Sequence, residues 1–228
     1  MKKIIYAIVL STFIYTTGYY VWVGSSPIRF KDESFQSGIA SESVNASGPT
    51  FIDYDDDGDI DIYVVTEFHG EGQGNRLFEN QGNRIFVDVA ELRGVDNENA
   101  LGRGASWGDY DNDGDLDLVV AFKGGDVRLY NNEFGGFTNV GPALGLPTDG
   151  KERRAIAWGD YDGDGYLDLY VGSNRQGNEL FRNNKSQGFT DMTQEMGLAI
   201  ERVSTRQISW IDYDNNGTLD LFVADRVD

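Results

Sequence analysis

The sequence predicts an all-β fold: a β-propeller of about four repeated units with an incomplete fourth blade, forming an open arc or a piece of a larger propeller. Three observations support this. A set of landmarks recurs four times at nearly constant spacing, the apolar residues of each copy alternate with the period of a strand, and each copy is long enough for four short strands and their turns.

The landmarks are a Phe, a Gly and the first Asp of an acidic stretch. Phe30, Phe86, Phe137 and Phe189 are followed eight positions later by Gly38, Gly94, Gly145 and Gly197. Fifteen positions further on stand Asp53, Asp109, Asp160 and Asp212. The copies step by 56, 51 and 52 residues, giving units of about 30–85, 86–136, 137–188 and 189–228. All length variation falls between an acidic stretch and the next Phe. Insertions collect in loops, so the extra residues of the first unit are expected within "TEFHGEGQGN", residues 66–75.

The chain opens with Met1, Lys2 and Lys3, followed by 20 uncharged residues from Ile4 to Val23. Two lysines ahead of an apolar run are the layout of an export signal, and the run also approaches the length that spans a bilayer. Residues 1–25 are therefore a cleaved signal peptide or an N-terminal membrane anchor, and residues 26–228 form the propeller. The protein is expected to be exported, as a secreted, periplasmic or cell-surface protein, with residues 4–23 as the only membrane-contacting part.

Within a unit, an aromatic (Phe51, Trp107, Trp158, Trp210) precedes each acidic stretch. Pairs such as Leu116 and Leu118, or Leu219 and Leu221, alternate after it. That is a hairpin of two strands around a tight loop. The segments "NRLFENQGNRIF", "VRLYNNEFGGF" and "NELFRNNKSQGF" then read as a second hairpin around Gly and Asn turn residues. After Asp212 only 16 residues remain, so the fourth blade stops after its second strand. The Phe30 segment is a candidate to lend that blade a strand. An arc of this kind exposes strand edges that invite another chain.

Charge narrows the function. With 19 basic and 38 acidic residues the formal net charge is −19, which excludes nucleic acid as a partner, since a phosphate backbone needs a basic footprint. The four acidic stretches hold 18 of the 38 acidic residues, so the charge is local chemistry rather than a solvated face. Cysteine is absent, and with it any disulfide framework. A bound divalent metal is a candidate substitute staple.

Aligned by position, the stretches place Asp53, Asp109, Asp160 and Asp212 at position 1, and Asp55, Asp111, Asp162 and Asp214 at position 3. Asp57, Asp113, Asp164 and Asn216 stand at position 5, and Asp61, Asp117, Asp168 and Asp220 at position 9. Glycine holds position 6. Position 7 (Asp59, Asp115, Tyr166, Thr218) offers a backbone carbonyl. Alternate oxygens on a curling loop suit Ca²⁺, which takes six to eight of them in flexible geometry. Polar turns use the same residue types, but four copies with the same ligand positions point to a cation. An EF-hand would need Glu at position 12, where this chain has Val64, Val120, Val171 and Val223. Mg²⁺ demands stricter octahedral geometry, and zinc wants Cys or His. Up to four calcium ions are expected, the fourth weakest because Asn216 removes a charge. Asp56, Asp59 and Asp115 are expected to face solvent, and the tyrosines at position 2 (Tyr54, Tyr110, Tyr161, Tyr213) to pack between blades.

The stretch "DYDNDGDLDL", with "NELFRNN" and "GFTDMTQEMGL", resembles the FG-GAP/VCBS repeat, in particular its ASPIC-type and cartilage-acidic-protein-like forms, from Phe30 onward. The resemblance implies a calcium-binding β-propeller related to integrin alpha heads, with ligands at positions 1, 3, 5, 7 and 9, and a role in extracellular adhesion or ligand recognition. The partner expected is a protein or glycan, and no catalytic residue is assigned. The alternatives are part of a carbohydrate- or phospholipid-active enzyme, with His69 beside Glu67 and Glu71 as a general base, or a spacer of a surface complex.

Overall fold

The structure is a computed structural model that describes residues 19–23, 26–40, 46–67, 74–98, 100–198 and 204–226. Most of the N-terminal apolar run lies outside these residues. So do His69 and Glu71.

Strands β1 (Tyr19–Val23) and β2 (Ser26–Phe30) pair antiparallel in a sheet of their own, with Phe30 opposite Tyr19. Phe30 is thus committed to β1 and does not complete the fourth blade, contrary to the sequence expectation. A single helical turn, α1 (Ser34–Ser37), leads to the first four-stranded sheet: β3 (Ala46–Ile52), β4 (Asp61–Thr66), β5 (Arg76–Asn80) and β6 (Phe86–Asp88). After the turn α2 (Ala90–Arg93) comes the second sheet, β7 (Gly102–Gly108), β8 (Asp117–Phe122), β9 (Val127–Glu133) and β10 (Gly136–Asn139). The third is β11 (Arg153–Gly159), β12 (Asp168–Ser173), β13 (Glu179–Asn183) and β14 (Phe189–Asp191). The last has two strands, β15 (Thr205–Ile211) and β16 (Asp220–Asp225). Each four-stranded sheet is an antiparallel meander in chain order. No helix among the described residues is long and apolar enough to cross a membrane.

The sheets are out of phase with the sequence units. Each landmark Phe opens a unit in the sequence, yet Phe86, Phe137 and Phe189 lie in the outermost strand of the preceding sheet. The landmark glycines follow at once, where the chain reverses toward the next sheet. Gly38, Gly94, Gly145 and Gly197 all have φ between 70° and 86°, a region an L side chain enters only with strain. The longer first unit inserts between β4 and β5, where the sequence placed its extra residues.

The first strands stand side by side, β3 next to β7, β7 next to β11 and β11 next to β15. Each carries an irregularity near its start, between Ser47 and Pro49, Gly102 and Gly104, Arg153 and Ala155, and Thr205 and Gln207. Bulges of this kind strengthen local twist, which lets successive sheets fan around an axis. Gly104 is needed there, since a Cβ would stand 2.5 Å from the Arg154 carbonyl oxygen of the next sheet. Apolar faces are buried between sheets. Leu118, Val119 and Val120 of β8 and Leu169 and Val171 of β12 are fully enclosed. Tyr63 meets Trp107 edge-on at 5.9 Å between ring centroids, and Tyr170 meets Trp210 likewise at 6.2 Å. The second strands of the middle sheets are buried at every residue, whereas β16 is half-exposed or exposed throughout. Among the described residues β16 is therefore the edge strand of the last sheet.

Opposite the acidic loops, Arg153 is fully buried and is held by Glu179 through Nε–Oε2 at 2.7 Å and Nη2–Oε1 at 3.1 Å. Asp149 supports it at 2.8 Å. A buried guanidinium stripped of its bidentate partner is costly. Glu179→Ala is therefore expected to destabilise the chain by roughly 3–5 kcal/mol in urea unfolding, with Glu179→Gln less damaging.

Candidate metal centre

Each acidic loop joins a first strand to a second strand, so all four lie at the same end of their sheets. The backbone explains the residue choice. Gly58, Gly114, Gly165 and Gly217 at position 6 have φ between 89° and 102°. Position 4 is also left-handed, with Asp56, Asn112, Gly163 and Asn215 at φ of 58° to 72°. Asp, Asn and Gly are the residues that tolerate this region, so Asp56 owes its place first to backbone shape.

Position 1 winds the loop. Asp53 accepts the Asp57 amide on Oδ1 and the Gly58 amide on Oδ2, both at 3.1 Å. Asp109, Asp160 and Asp212 repeat the pair at 2.9–3.1 Å. Position 5 accepts the amide of position 7: Asp57 from Asp59 at 2.8 Å, Asp113 from Asp115 at 3.0 Å, Asp164 from Tyr166 at 3.0 Å and Asn216 from Thr218 at 2.8 Å.

Position 9 clasps the loop to the sheet. Asp117 accepts the Tyr110 amide on Oδ2 at 3.0 Å and the Asn132 amide on Oδ1 at 2.9 Å. Asp168 does the same with Tyr161 and Asn183, and Asp61 with Tyr54 and Asn80. All three carboxylates are fully buried. Burial pushes Asp117 up to about 7 and Asp61 and Asp168 up to about 6, against the downward pull of the amides. Asp55 and Asp111 are also raised, by burial first and by their acidic neighbours second.

The carboxylates converge. One oxygen from each of Asp53, Asp55 and Asp57 lies within 4.8 Å of the other two, and the same holds for Asp109, Asp111 and Asp117, for Asp160, Asp162 and Asp168, and for Asp212, Asp214 and Asp220. Asp55 Oδ1 and Asp111 Oδ1 are buried and have no hydrogen-bond partner. A buried, unpartnered carboxylate oxygen among other carboxylates is expensive unless a cation satisfies it.

A sequence model of the FG-GAP-like repeat matches this chain at residues 53–120, 109–171 and 160–223, each match running from one acidic loop into the strand after the next. The chain belongs to the FG-GAP-like repeat family. Cartilage acidic protein 1 of Mus musculus is 30% identical over 166 residues, that of Homo sapiens 28% over 176, and that of Xenopus tropicalis 27% over 178. Each alignment covers 68% of this chain and 25% of the relative, so the chain spans about a quarter of the length of these curated proteins.

Seen residue by residue, the FG-GAP loops bring positions 1 and 3 together in every copy. They add Asp57 from position 5 in the first loop and Asp117, Asp168 and Asp220 from position 9 in the others. Position 7 side chains have other engagements. Asp59 is exposed, and Thr218 turns back on Asn216 at 2.5 Å. Tyr166 lies under the Lys185 ammonium. Asp115, expected to face solvent, instead accepts the Phe134 amide at 3.2 Å. Tyr54 and Tyr110 pack between sheets as expected, against Phe137 and Phe189, whereas Tyr213 is 83% exposed.

Sequence reading missed the asparagine at or next to the end of each third strand. Asn132 Nδ2 donates to the Tyr54 carbonyl of the preceding loop at 2.8 Å and to Leu116 of its own at 3.0 Å. Asn183 repeats this with Tyr110 at 2.8 Å and Leu167 at 3.1 Å. The signal was present as the recurrence of Asn80, Asn132 and Asn183 after Leu and an aromatic, but Asn before a turn reads as turn chemistry. Asn132→Ala would orphan two carbonyls in one step. It is expected to cost about 1–3 kcal/mol in thermal unfolding, and more than Asn131→Ala beside it.

Proposed function

We propose that this FG-GAP chain is an exported, calcium-stabilised recognition module without catalytic activity, binding a protein or glycan on the surface of the arc. The single observation behind it is the pair of buried, unpartnered oxygens, Asp55 Oδ1 and Asp111 Oδ1, inside converging carboxylates. The donors are all hard oxygens, which favours calcium over softer metals. The residues that would hold it are Asp53, Asp55 and Asp57; Asp109, Asp111, Asp113 and Asp117; Asp160, Asp162, Asp164 and Asp168; and Asp212, Asp214, Asn216 and Asp220, with backbone carbonyls of position 7 completing the set by family resemblance. The fourth loop has Asn216 in place of a carboxylate, and Asp214 is exposed, so it is the weakest site.

The name of the three relatives, an acidic protein of cartilage, supports display outside the cell. The non-enzymatic reading rests on how the acidic groups are engaged. Those at positions 1, 5 and 9 already accept backbone amides, which suits holding a loop and a cation rather than moving protons. A recognition surface held in one shape by ions also loses less entropy on binding.

Calcium should therefore raise the melting temperature. A site held at a hundred times its Kd adds about 2.7 kcal/mol of stability, worth several degrees in a chain of this size. Melting in excess EGTA is expected to fall well below melting in millimolar calcium, and equal melting in the two would refute the reading. Calorimetric titration of Asp111→Ala is expected to lose one site from the stoichiometry, whereas Asn112→Gly, which keeps the left-handed backbone and gives up only the Nδ2 bond to the Gly165 carbonyl at 3.0 Å, keeps the count.

A further inference from the structure

We propose that the calcium loops are coupled: the turns between third and fourth strands are walls shared by two loops, so an ion in one loop raises the affinity of the loop before it. Asn132, Asn183 and Asn112 are the positioning residues that carry the effect. The proposal rests on the calcium reading and extends it to how the sites regulate one another. It uses only the first three loops and the sheets that hold them.

The β13–β14 turn touches two loops at once. On the side of the third loop, the Asn183 amide donates to Asp168 Oδ1 at 2.8 Å, and the Lys185 ammonium stands 3.9 Å from Asp164 Oδ2. On the side of the second loop, Asn183 Nδ2 donates to the Tyr110 carbonyl at 2.8 Å and the Ser186 hydroxyl to the Asp111 carbonyl at 3.3 Å. The turn is braced from within, since Asn183 Oδ1 accepts the Ser186 amide at 2.9 Å. Asn183 thus bonds a carboxylate of the third loop and, in the second, the backbone between Asp109 and Asp111. A further bond joins the two loops directly, from Asn112 Nδ2 to the Gly165 carbonyl at 3.0 Å. The β9–β10 turn repeats the wall between the second and first loops. The Asn132 amide donates to Asp117 Oδ1 at 2.9 Å and the Phe134 amide to Asp115 Oδ2 at 3.2 Å, while Asn132 Nδ2 holds the Tyr54 carbonyl between Asp53 and Asp55. Asp56 occupies the place of Asn112 in the first loop, and an ionised carboxylate has no N–H to offer a neighbouring carbonyl. The second and third loops are therefore coupled more strongly than the first and second.

The sign of the coupling follows from ordering. Fixing Asp164 and Asp168 fixes the turn that rests on them, and the fixed turn holds Tyr110 and Asp111 in the second loop. Conformational freedom already lost when the third loop fills is not lost again when the second does, which is positive coupling, and linkage makes it mutual. Coulomb repulsion between two cations has the opposite sign. The two effects can therefore be told apart.

The test is a calcium titration of the full chain followed by NMR at the amides of Gly58, Gly114 and Gly165. Each donates to the position 1 carboxylate of its own loop, so the three sites are read separately. Asp162→Ala disables the third loop at an exposed residue, with the fold checked by circular dichroism. The affinity read at Gly114 is expected to fall about tenfold in that variant. Charge alone would raise it, because the empty variant loop keeps Asp160, Asp164 and Asp168, whereas the filled native loop carries those and Asp162 less the two charges of the ion. Adding Asn112→Gly and Ser186→Ala, which leave every ligand and Asn183 in place, should reduce the fall to about threefold. In Asp111→Ala the fall read at Gly58 should be smaller than tenfold. Unchanged or tighter binding at Gly114 in Asp162→Ala would overturn the coupling and leave the calcium reading standing. An equal fall with Asn112→Gly and Ser186→Ala present would overturn the route, and the absence of any calcium response at the three glycines would overturn both readings.

Discussion

The bond from a third-strand asparagine to the carbonyl of the loop in the preceding sheet is the contact on which the arrangement of the acidic loops depends. Asn132 and Asn183 each hold two loops at once, their own through the position 8 carbonyl and the previous one through position 2. A loop is thus fixed from two directions, by the Asp clasp of its own sheet and by the asparagine of the next. Stability in such an array is shared between a unit and its neighbour, as in other repeat architectures, and a change at one asparagine is felt across a sheet boundary.

That contact also decides the electrostatics. The turn over which Asn132 presides brings Gly135 to the Asp55 side chain, where a Cβ would stand 3.5 Å from Asp55 Cβ. The Ser186 hydroxyl likewise donates to the Asp111 carbonyl at 3.3 Å. The outer hairpin of one sheet therefore covers the acidic loop of the sheet before it and removes water from the position 3 carboxylate. Removing water from a carboxylate disfavours its charge, which is why Asp55 and Asp111 titrate high. The amides that positions 1, 5 and 9 accept offset part of the crowding but do not reach Asp55 Oδ1 or Asp111 Oδ1.

Much of this was legible in the sequence, and the reasons for the rest are specific. Strand alternation around Leu116 and Leu118, the glycine at position 6, and valine at position 12 fixed a hairpin with a metal-like loop, because those patterns follow from short-range sterics. The landmark Phe misled on phase. Phe86 looks like the start of a unit because the spacing to Gly94 is constant, yet a constant spacing shows only that the two residues move together, and in space Phe86 closes one sheet in β6 while Gly94 turns the chain toward the next. Asp61, Asp117 and Asp168 looked like ligands equal to the others, and their burial under the third strand is a tertiary fact that composition does not carry. The same holds for Asn132 and Asn183, whose partners are 78 and 73 residues away.

The inequality of the four loops shows how far position in the array can outweigh local sequence. On the carboxylates at positions 1, 3, 5 and 9 alone, the second and third loops should behave alike. Their surroundings differ: Asp111 is half-buried beneath the β13–β14 hairpin, whereas Asp162 is exposed because nothing described lies over it. Asp162 Oδ1 fills its need locally, taking the Asp164 amide at 3.3 Å, and Asp214 Oδ1 takes the Asn216 amide at 3.2 Å, while Asp111 Oδ1 has no partner. A carboxylate oxygen in water with an amide in hand demands less of a cation than a buried oxygen without a hydrogen-bond partner. Affinity should therefore fall along the arc at the point where the covering hairpin stops, between the second and third loops, before the loss of charge at Asn216 weakens the fourth further.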